Sequence, residues 1–274
     1  MPELVNRQSS IPKPFTFSQS SLQDYVDCAR RFQLRYLDQL QWPAVETEPT
    51  LENERRQAEG QQFHRLVQQH LLGLPAEKLT KLASRENLSR WWDNWLDFRS
   101  LQDFGNLQPE LSLSTPLAPH RLLAKYDLIT VQNGHATIYD WKTYHKRPKN
   151  EAMAARWQTK IYLALLVEAG AHLNGGQPFA PEQLEMVYWY SEFPAEPARF
   201  RYTAAQHAQN WAQIRRLVEQ ISAQTSFPLT ADEKKCAYCA YRSYCERGVA
   251  AGQGDETELA DFDLNLAATP EIEF

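Results

Sequence analysis

The chain has 274 residues, of which 43% are hydrophobic and 23% are charged. That length suits one large domain or a domain with an appended module, and the hydrophobic content excludes a wholly disordered chain. No apolar run approaches the roughly 20 residues that a membrane-spanning helix needs, so no membrane partner is expected. The polar N-terminus lacks the apolar segment of a signal peptide, which predicts a cytoplasmic protein with a flexible segment over 1–16.

The net charge of −5 is unevenly distributed along the chain. Residues 255–274 hold seven acidic side chains and no Lys or Arg, which predicts an acidic, disordered tail over 251–274. The rest of the chain is close to neutral. Charge alone therefore neither requires nor excludes a nucleic-acid partner, since a carboxylate metal site would present positive charge to a phosphate once loaded.

Hydrophobic periodicity predicts helices first, then a group of strands, then alternating elements. The predicted helices cover 17–42, 52–73, 78–101, 151–170 and 203–223. The predicted strands cover 110–114, 121–131, 136–143 and 184–190. The third helix carries an apolar stripe, predicted as core: Trp91, Trp92, Trp95 and Phe98. This order predicts a mixed α+β fold in the α/β class, with a central mixed sheet flanked by helices.

The Asn-Gly pair at 133–134 lies between two β-rich runs, which is a strong hairpin signal. If these are the two central turn residues, Asp127 falls directly opposite Asp140 on one face of the sheet. Directly opposed residues have Cβ atoms about 4.5–5.5 Å apart. The same register predicts Lys125 and Lys142 as the neighbouring pair on that face.

Two carboxylates this close repel each other, and a divalent cation with oxygen ligands would compensate for the repulsion. Lys142 would then lie beside the metal, where it could stabilise charge on a phosphate or orient an attacking water. The alternative is a solvent-facing ladder of alternating acidic and basic side chains. Periodicity alone makes these two interpretations about equally good.

Residues 138–143, Ile-Tyr-Asp-Trp-Lys-Thr, resemble the Asp-x-Lys signature of PD-(D/E)XK nucleases in their RecB-like branch. The resemblance implies a restriction-endonuclease-like core that binds Mg²⁺ or Mn²⁺. It implies Asp127, Asp140 and the backbone carbonyl of Trp141 as ligands, with Lys142 assisting catalysis. The segment at 60–64 is similar to the helical Gly-x-x-x-His motif of this branch, which implies His64 as a third side-chain ligand.

Three further residues match this family. Glu110 is similar to a glutamate near the metals, although a surface carboxylate at a strand end is an alternative. Gln158 and Tyr162 share one helix face and resemble the Gln-x-x-x-Tyr pattern, which implies support of the active site or contact with DNA. Basic residues of this region would face phosphate or form a solvated surface: Lys142, Lys146, Arg147, Lys149, Arg156 and Lys160.

The chain has four cysteines: Cys28, Cys236, Cys239 and Cys245. The Cys-x2-Cys-x5-Cys spacing favours metal ligation over disulfides, and spacing alone favours zinc. Residues 21–30 and 236–245, however, resemble the cysteine motifs of Cas4 and AddB-type proteins. The resemblance implies a [4Fe-4S] cluster that joins the N- and C-terminal segments as a staple. Basic residues near it would contact DNA: Arg30, Arg31, Lys234, Lys235 and Arg242.

These matches predict a Cas4-like and RecB-like nuclease domain over 17–250, with a helical part at about 50–104 and a catalytic core at about 108–225. The predicted activity is metal-dependent hydrolysis of DNA, as an exonuclease acting on single strands or ends in repair, recombination or end processing. One alternative is a Cas4-type nuclease of CRISPR adaptation. Another is a catalytically weak module of the same fold that binds DNA or a helicase or integrase-type protein. A third is a zinc-stapled structural protein.

Overall fold

The computed structural model describes residues 10–40, 50–237 and 239–248. Its helices are α1 (Gln19–Asp27), α2 (Ala29–Phe32), α3 (Thr50–Leu71), α4 (Ala76–Thr80), α5 (Glu86–Ser100), α6 (Asn150–Ala155), α7 (Trp157–Ala169) and α8 (Ala204–Ala223). Its strands are β1 (Thr16–Ser18), β2 (Asn106–Pro109), β3 (Ser112–Leu117), β4 (His120–Lys125), β5 (Leu128–Gln132), β6 (His135–Lys142), β7 (Leu184–Tyr190) and β8 (Ala198–Arg201). Residues 1–9 and the predicted tail at 251–274 lie outside the described residues.

The strands form two sheets. One has three strands in the order β1-β4-β3, and the other has five in the order β2-β5-β6-β7-β8. Both are mixed, because β1 pairs with β4 and β6 pairs with β7 in parallel while the other neighbours are antiparallel. The predicted mixed α+β fold with helices around a mixed sheet is therefore confirmed. Within the described residues, none of the helices combines the length and apolar character that a membrane crossing requires.

The predicted hairpin forms between β5 and β6. Asn133 and Gly134 both have positive φ, at 52° and 75°, as a two-residue turn of this type requires. Gln132 pairs with His135, and the register continues without a bulge to Leu128 opposite Tyr139. The turn chemistry therefore fixed the register as predicted, and it sets Asp127 one residue beyond the last pair.

Several predicted elements are divided in the structure. The helix predicted at 17–42 begins at Gln19 and breaks at Cys28, whose backbone is extended, before α2 and a π-helical turn over Gln33–Leu37; residues 41 and 42 are not described. The helix at 151–170 breaks at Arg156, whose ψ is 145°. The helix at 78–101 is two helices, α4 and α5. Hydrophobic periodicity continues across such breaks, so it does not reveal them.

Two predicted strands are also divided. The strand predicted at 110–114 is wrong at its start, because Glu110 has φ of 55° and separates β2 from β3. The strand at 121–131 is interrupted at Tyr126 and Asp127, where the chain passes from the three-stranded to the five-stranded sheet. The interruption places Asp127 at the junction of the two sheets.

Opposite faces of the five-stranded sheet support two cores. One face, with Ile138 and Tyr188, packs with α7 and α8. The other face carries Trp141 and Trp189 and packs with aromatic side chains of α3 and α5. That second core includes the predicted tryptophan stripe, since Trp91, Trp92 and Trp95 are at most 1% exposed. Aromatic burial of this size stabilises the helical layer that carries His64 to the sheet.

Candidate active site

Two aspartates meet where β5 and β6 lie side by side. Asp140 is on β6 and is 3% exposed, while Asp127 occupies the junction between β4 and β5. The peptide N–H of Trp141 donates to Asp127 Oδ2 at 2.8 Å, which fixes this carboxylate against the partner strand. The hairpin register thus brings together the two carboxylates that the sequence placed opposite each other.

Asp140, Lys142 and Gln158 form a closed triangle of polar contacts. Lys142 Nζ lies 3.0 Å from Asp140 Oδ2 and donates to Gln158 Oε1 at 3.0 Å. Gln158 Nε2 donates to Asp140 Oδ1 at 2.6 Å. All three residues are at least 92% buried, so solvent does not weaken these contacts. Gln158 therefore orients both charged groups from the first turn of α7.

His64 reaches the site from α3. Its Nδ1 lies 3.4 Å from Asp127 Oδ1. Burial opposes protonation of the imidazole, but the Asp127 carboxylate outweighs burial and raises the pKa of His64 to about 9. One turn earlier, a Cβ added to Gly60 would lie 2.9 Å from Thr143 Oγ1. Glycine thus permits the close approach of α3 that His64 needs.

The two carboxylates differ in their electrostatic state. Burial raises the pKa of Asp127, but the charge of His64 and the bonds from His64 and Trp141 hold it below its usual value. Burial raises the pKa of Asp140 to about 7, and the charge of Asp127 acts in the same direction, against the opposing effect of Lys142. Two adjacent buried carboxylates therefore resist being charged together, and His64 and Lys142 balance them.

Glu110 and Tyr162 contact the chain segment that leads into Asp127. The Glu110 N–H donates to the Asp127 carbonyl at 3.0 Å, and its carboxylate pairs with Lys125 at 2.6 Å. Burial and the charge of Asp127 raise the pKa of Glu110. The Tyr162 hydroxyl donates to the Lys125 carbonyl at 2.6 Å, at the end of β4. Both residues therefore hold the chain that enters the Asp127 junction.

The predicted pairing of Lys125 with Lys142 is wrong. Lys125 pairs with Ser112 in the three-stranded sheet, whereas Lys142 pairs with Tyr190 in the five-stranded sheet. The break at 126–127 separates them, because β4 leaves the sheet that contains β6. Lys142 is consequently the lysine that faces Asp140.

The donor types of this site fit a hard divalent cation. Asp127 and Asp140 supply carboxylate oxygens, and the buried Oδ2 of Asp140 accepts no hydrogen bond, having only the Lys142 ion pair. Across residues 10–40, 50–237 and 239–248, no three His, Cys, Asp or Glu side chains are grouped closely enough to hold a metal ion. The carbonyl oxygen of Trp141 stays a predicted ligand.

The four cysteines come from two segments of the chain, one directly after α1 and the other after α8. All four are free thiols, and Cys28 directly follows α1 in an extended conformation. Burial raises the pKa values of Cys236, Cys239 and Cys245, and the charge of Cys28 raises each of them further. Cys28 therefore acts electrostatically on the other three thiols, while no three cysteines of the described residues are grouped closely enough to hold a metal ion.

The prediction that basic residues beside these cysteines contact DNA is wrong for the three arginines. Arg30, Arg31 and Arg242 are at most 9% exposed. Arg31 binds Asp24 and Asp27, each at 2.8 Å. These guanidinium groups serve internal contacts, so they do not offer a surface to DNA.

Comparison with known families identifies the chain. The family model of the PD-(D/E)XK nuclease superfamily matches residues 16–246. The chain belongs to this superfamily. Its members hydrolyse phosphodiester bonds as a class, and the match spans both sheets, the Asp127–Asp140 junction and the cysteine triplet. Comparison with curated proteins gives no match.

Solved structures resemble this PD-(D/E)XK chain at low identity. A crystal structure from Eubacterium rectale, named as a putative exonuclease, is 10% identical with a TM-score of 0.50, and the match covers 90% of this chain and 93% of that one. The crystal structure of SSO0001 is 14% identical with a TM-score of 0.40, covering 86% and 88%. The first likeness establishes a shared fold.

The sequence did not identify two residues that support this PD-(D/E)XK site. The hydroxyls of Thr159 and Tyr188 lie 2.7 Å apart, and Tyr188 also reaches Gln158 Oε1 at 3.5 Å. Tyr188 pairs with Asp140 across the parallel β6–β7 ladder. A parallel register has no local turn to define it, so the sequence gives no signal for this pairing.

Proposed function

We propose that this protein is a metal-dependent DNA nuclease that acts as an exonuclease on single strands or DNA ends. One observation carries the proposal: the fold brings Asp127, Asp140, Lys142 and His64 together at the junction of its two sheets. If the site had only a structural role, the repulsion between its two adjacent buried carboxylates would cost stability without any benefit. Processing of DNA ends in repair or recombination is the proposed role.

The proposed ligands of Mg²⁺ or Mn²⁺ are Asp127, Asp140, His64 and the carbonyl oxygen of Trp141. When bound, the cation would polarise the scissile phosphate and lower the pKa of an attacking water. Lys142 would stabilise negative charge on the phosphate from its position 3.0 Å from Asp140. Gln158 would hold the side chains of Asp140 and Lys142 in position. Glu110 and Tyr162 would hold the backbone at the Asp127 junction.

DNA is the proposed substrate because basic side chains follow directly on β6 and surround the start of α7. Lys146 and Lys149 are exposed, and Arg147, Arg156 and Lys160 are half-buried. Such side chains neutralise phosphates without reading sequence. A helicase or integrase-type protein remains a candidate partner, and a Cas4-type role in CRISPR adaptation is the more specific form of the same activity.

The test is digestion of end-labelled single- and double-stranded DNA, with circular DNA as a substrate that lacks ends. Cleavage is expected with Mg²⁺ or Mn²⁺, is expected to stop with EDTA, and should return when metal is restored. Activity must follow the protein through gel filtration, which excludes a contaminating nuclease. Absence of cleavage by folded protein with either metal would reject the nuclease. Cleavage of circular DNA at the same rate would reject exonuclease action.

We further propose that Cys28, Cys236, Cys239 and Cys245 hold a [4Fe-4S] cluster, with zinc as the less favoured occupant. The resemblance of residues 21–30 and 236–245 to cysteine motifs that hold such a cluster supports this proposal, and the charge of Cys28 reaches the other three thiols. Protein purified without oxygen is expected to be brown and to contain about four iron atoms per chain. Cys239→Ser should lose the colour. A colourless wild-type protein with stoichiometric zinc would contradict the cluster.

A further inference from the structure

The Tyr190 side chain ends in a buried hydroxyl that is unpaired within the described part of the chain. Tyr190 ends β7 and pairs with Lys142 across the parallel ladder. The residue is 0% exposed, and its hydroxyl has no hydrogen-bond partner among the residues that the structure describes. Buried polar atoms almost always have a hydrogen-bond partner, so an unpaired one marks a place that a ligand group or a water molecule would complete.

Cationic side chains lie near the rings of Tyr190 and its neighbour Tyr144. The guanidinium carbon of Arg147 lies 5.5 Å from the centre of the Tyr190 ring. The centres of the Tyr144 and Tyr190 rings are 6.2 Å apart, and Arg156 donates to the Tyr144 hydroxyl at 2.6 Å. Lys142 Nζ is 5.8 Å from the centre of the Tyr144 ring. Three positive side chains therefore converge around two buried tyrosines.

The balance of charge at this point favours an anion. Burial raises the pKa of Tyr190, so its hydroxyl stays protonated and acts as a donor, although the three cations oppose this shift. Asp140, whose charge also reaches the hydroxyl, is already paired with Lys142. The exposed Glu196 carboxylate is 3.9 Å from Arg147, while the Glu196 carbonyl accepts from Arg147 Nε at 2.8 Å.

The start of α7 adds to this preference. Arg156 precedes the first residue of the 13-residue helix α7, and the Arg156 side chain makes no capping hydrogen bond there. Its first-turn N–H groups and the helix dipole attract negative charge. Gln158, in the same turn, already contacts Asp140, so this end of the helix adjoins the Asp127–Asp140 pair.

We propose that Tyr190, Arg147 and Arg156 form a phosphate-binding subsite. The subsite binds a second phosphate of the DNA strand, distinct from the phosphate that is cleaved. The inference rests on the proposed nuclease function and extends it. The Tyr190 hydroxyl donates to a phosphate oxygen, and the two guanidinium groups neutralise the charge. The phosphate is either a terminal one or one within the strand.

The test is the substitution Tyr190→Phe, which removes one oxygen and keeps the ring. Binding is measured in an Asp140→Asn background, so that hydrolysis does not disturb the dissociation constant. The Kd for a single-stranded oligonucleotide is expected to rise about tenfold, as for loss of a hydrogen bond to a charged group. Tm should be unchanged or higher, because the hydroxyl has no partner inside the protein. Tyr139→Phe, on the opposite face of the sheet, is the matched control and should leave Kd unchanged.

The oligonucleotides separate the two kinds of phosphate. If the subsite takes a terminal phosphate, the effect of Tyr190→Phe appears with a 5′- or 3′-phosphorylated oligonucleotide and disappears with hydroxyl ends. If it takes an internal one, the effect persists with hydroxyl ends and disappears when one methylphosphonate replaces that phosphate. An unchanged Kd on every oligonucleotide, or a Tm lowered by several degrees, would overturn the subsite. Cleavage by wild-type protein, assayed separately, reports on the nuclease function itself.

Discussion

Replacing Asp140 with asparagine is expected to reduce DNA cleavage about a thousandfold while leaving the protein folded. A loss of this size corresponds to several kcal/mol of transition-state stabilisation, as expected when a proposed metal ligand loses its charge. Asparagine keeps the shape of the side chain, and its Oδ1 can still accept from Gln158 Nε2, as Asp140 Oδ1 does at 2.6 Å. The substitution removes one of two adjacent buried negative charges, but it also leaves the buried Lys142 ammonium without its ion-pair partner, so a lower Tm is expected.

Glu185→Gln is the matched control for this experiment. Glu185 lies on β7, next to the strand of Asp140, but its side chain is on the opposite face, where it pairs with Arg199 at 3.1 Å. Rates are measured on end-labelled DNA with Mg²⁺ and with Mn²⁺, and folding is followed by thermal unfolding. Equal cleavage by wild type and Asp140→Asn would show that the carboxylate pair is not the catalytic centre.

The carboxylate pair was predictable from the sequence because its position depends on a local signal. An Asn-Gly turn allows few loop geometries, and side chains alternate strictly along a strand, so the register follows for several residues. The observed pairing of Leu128 with Tyr139 confirms that extrapolation. The same extrapolation gave a wrong result for Lys125 and Lys142, two residues further from the turn. The chain changes sheets at that point, so the register no longer applies.

The remaining parts of the site depend on contacts between distant segments. Gln158 and His64 were suggested by resemblance to a family, and periodicity alone would have left them as ordinary helix residues. The parallel pairing of β6 with β7 sets Tyr188 and Tyr190 beside Asp140 and Lys142, and no turn in the sequence encodes it. The predicted DNA contact of the arginines near the cysteines failed for a related reason, since Arg31 is buried in ion pairs with Asp24 and Asp27 that the sequence does not reveal.

Those ion pairs lead to the second large effect: Asp24→Asn is expected to destabilise the folded protein by about 3 kcal/mol or more. Asp24 is 6% exposed and binds Arg31 at 2.8 Å and Arg35 at 3.0 Å. Neutralising this carboxylate leaves the buried Arg31 and half-buried Arg35 guanidinium groups, with Asp27 as the remaining partner of Arg31. The loss of stability should appear as a lower midpoint in urea unfolding with a similar slope.

Glu185→Gln again provides the comparison, because the pair it breaks is of similar length but more exposed, at 27% and 47% of the two side chains. Exposed pairs contribute at most about 1 kcal/mol, so this variant should unfold close to the wild-type midpoint. The charge of Cys239 also acts on Arg31, so the Asp24 network adjoins the thiols. Asp24→Asn should therefore also speed alkylation of the cysteines in metal-free protein. Equal midpoints and equal alkylation rates for the two variants would show that the Asp24 network does not hold the cysteine segments together.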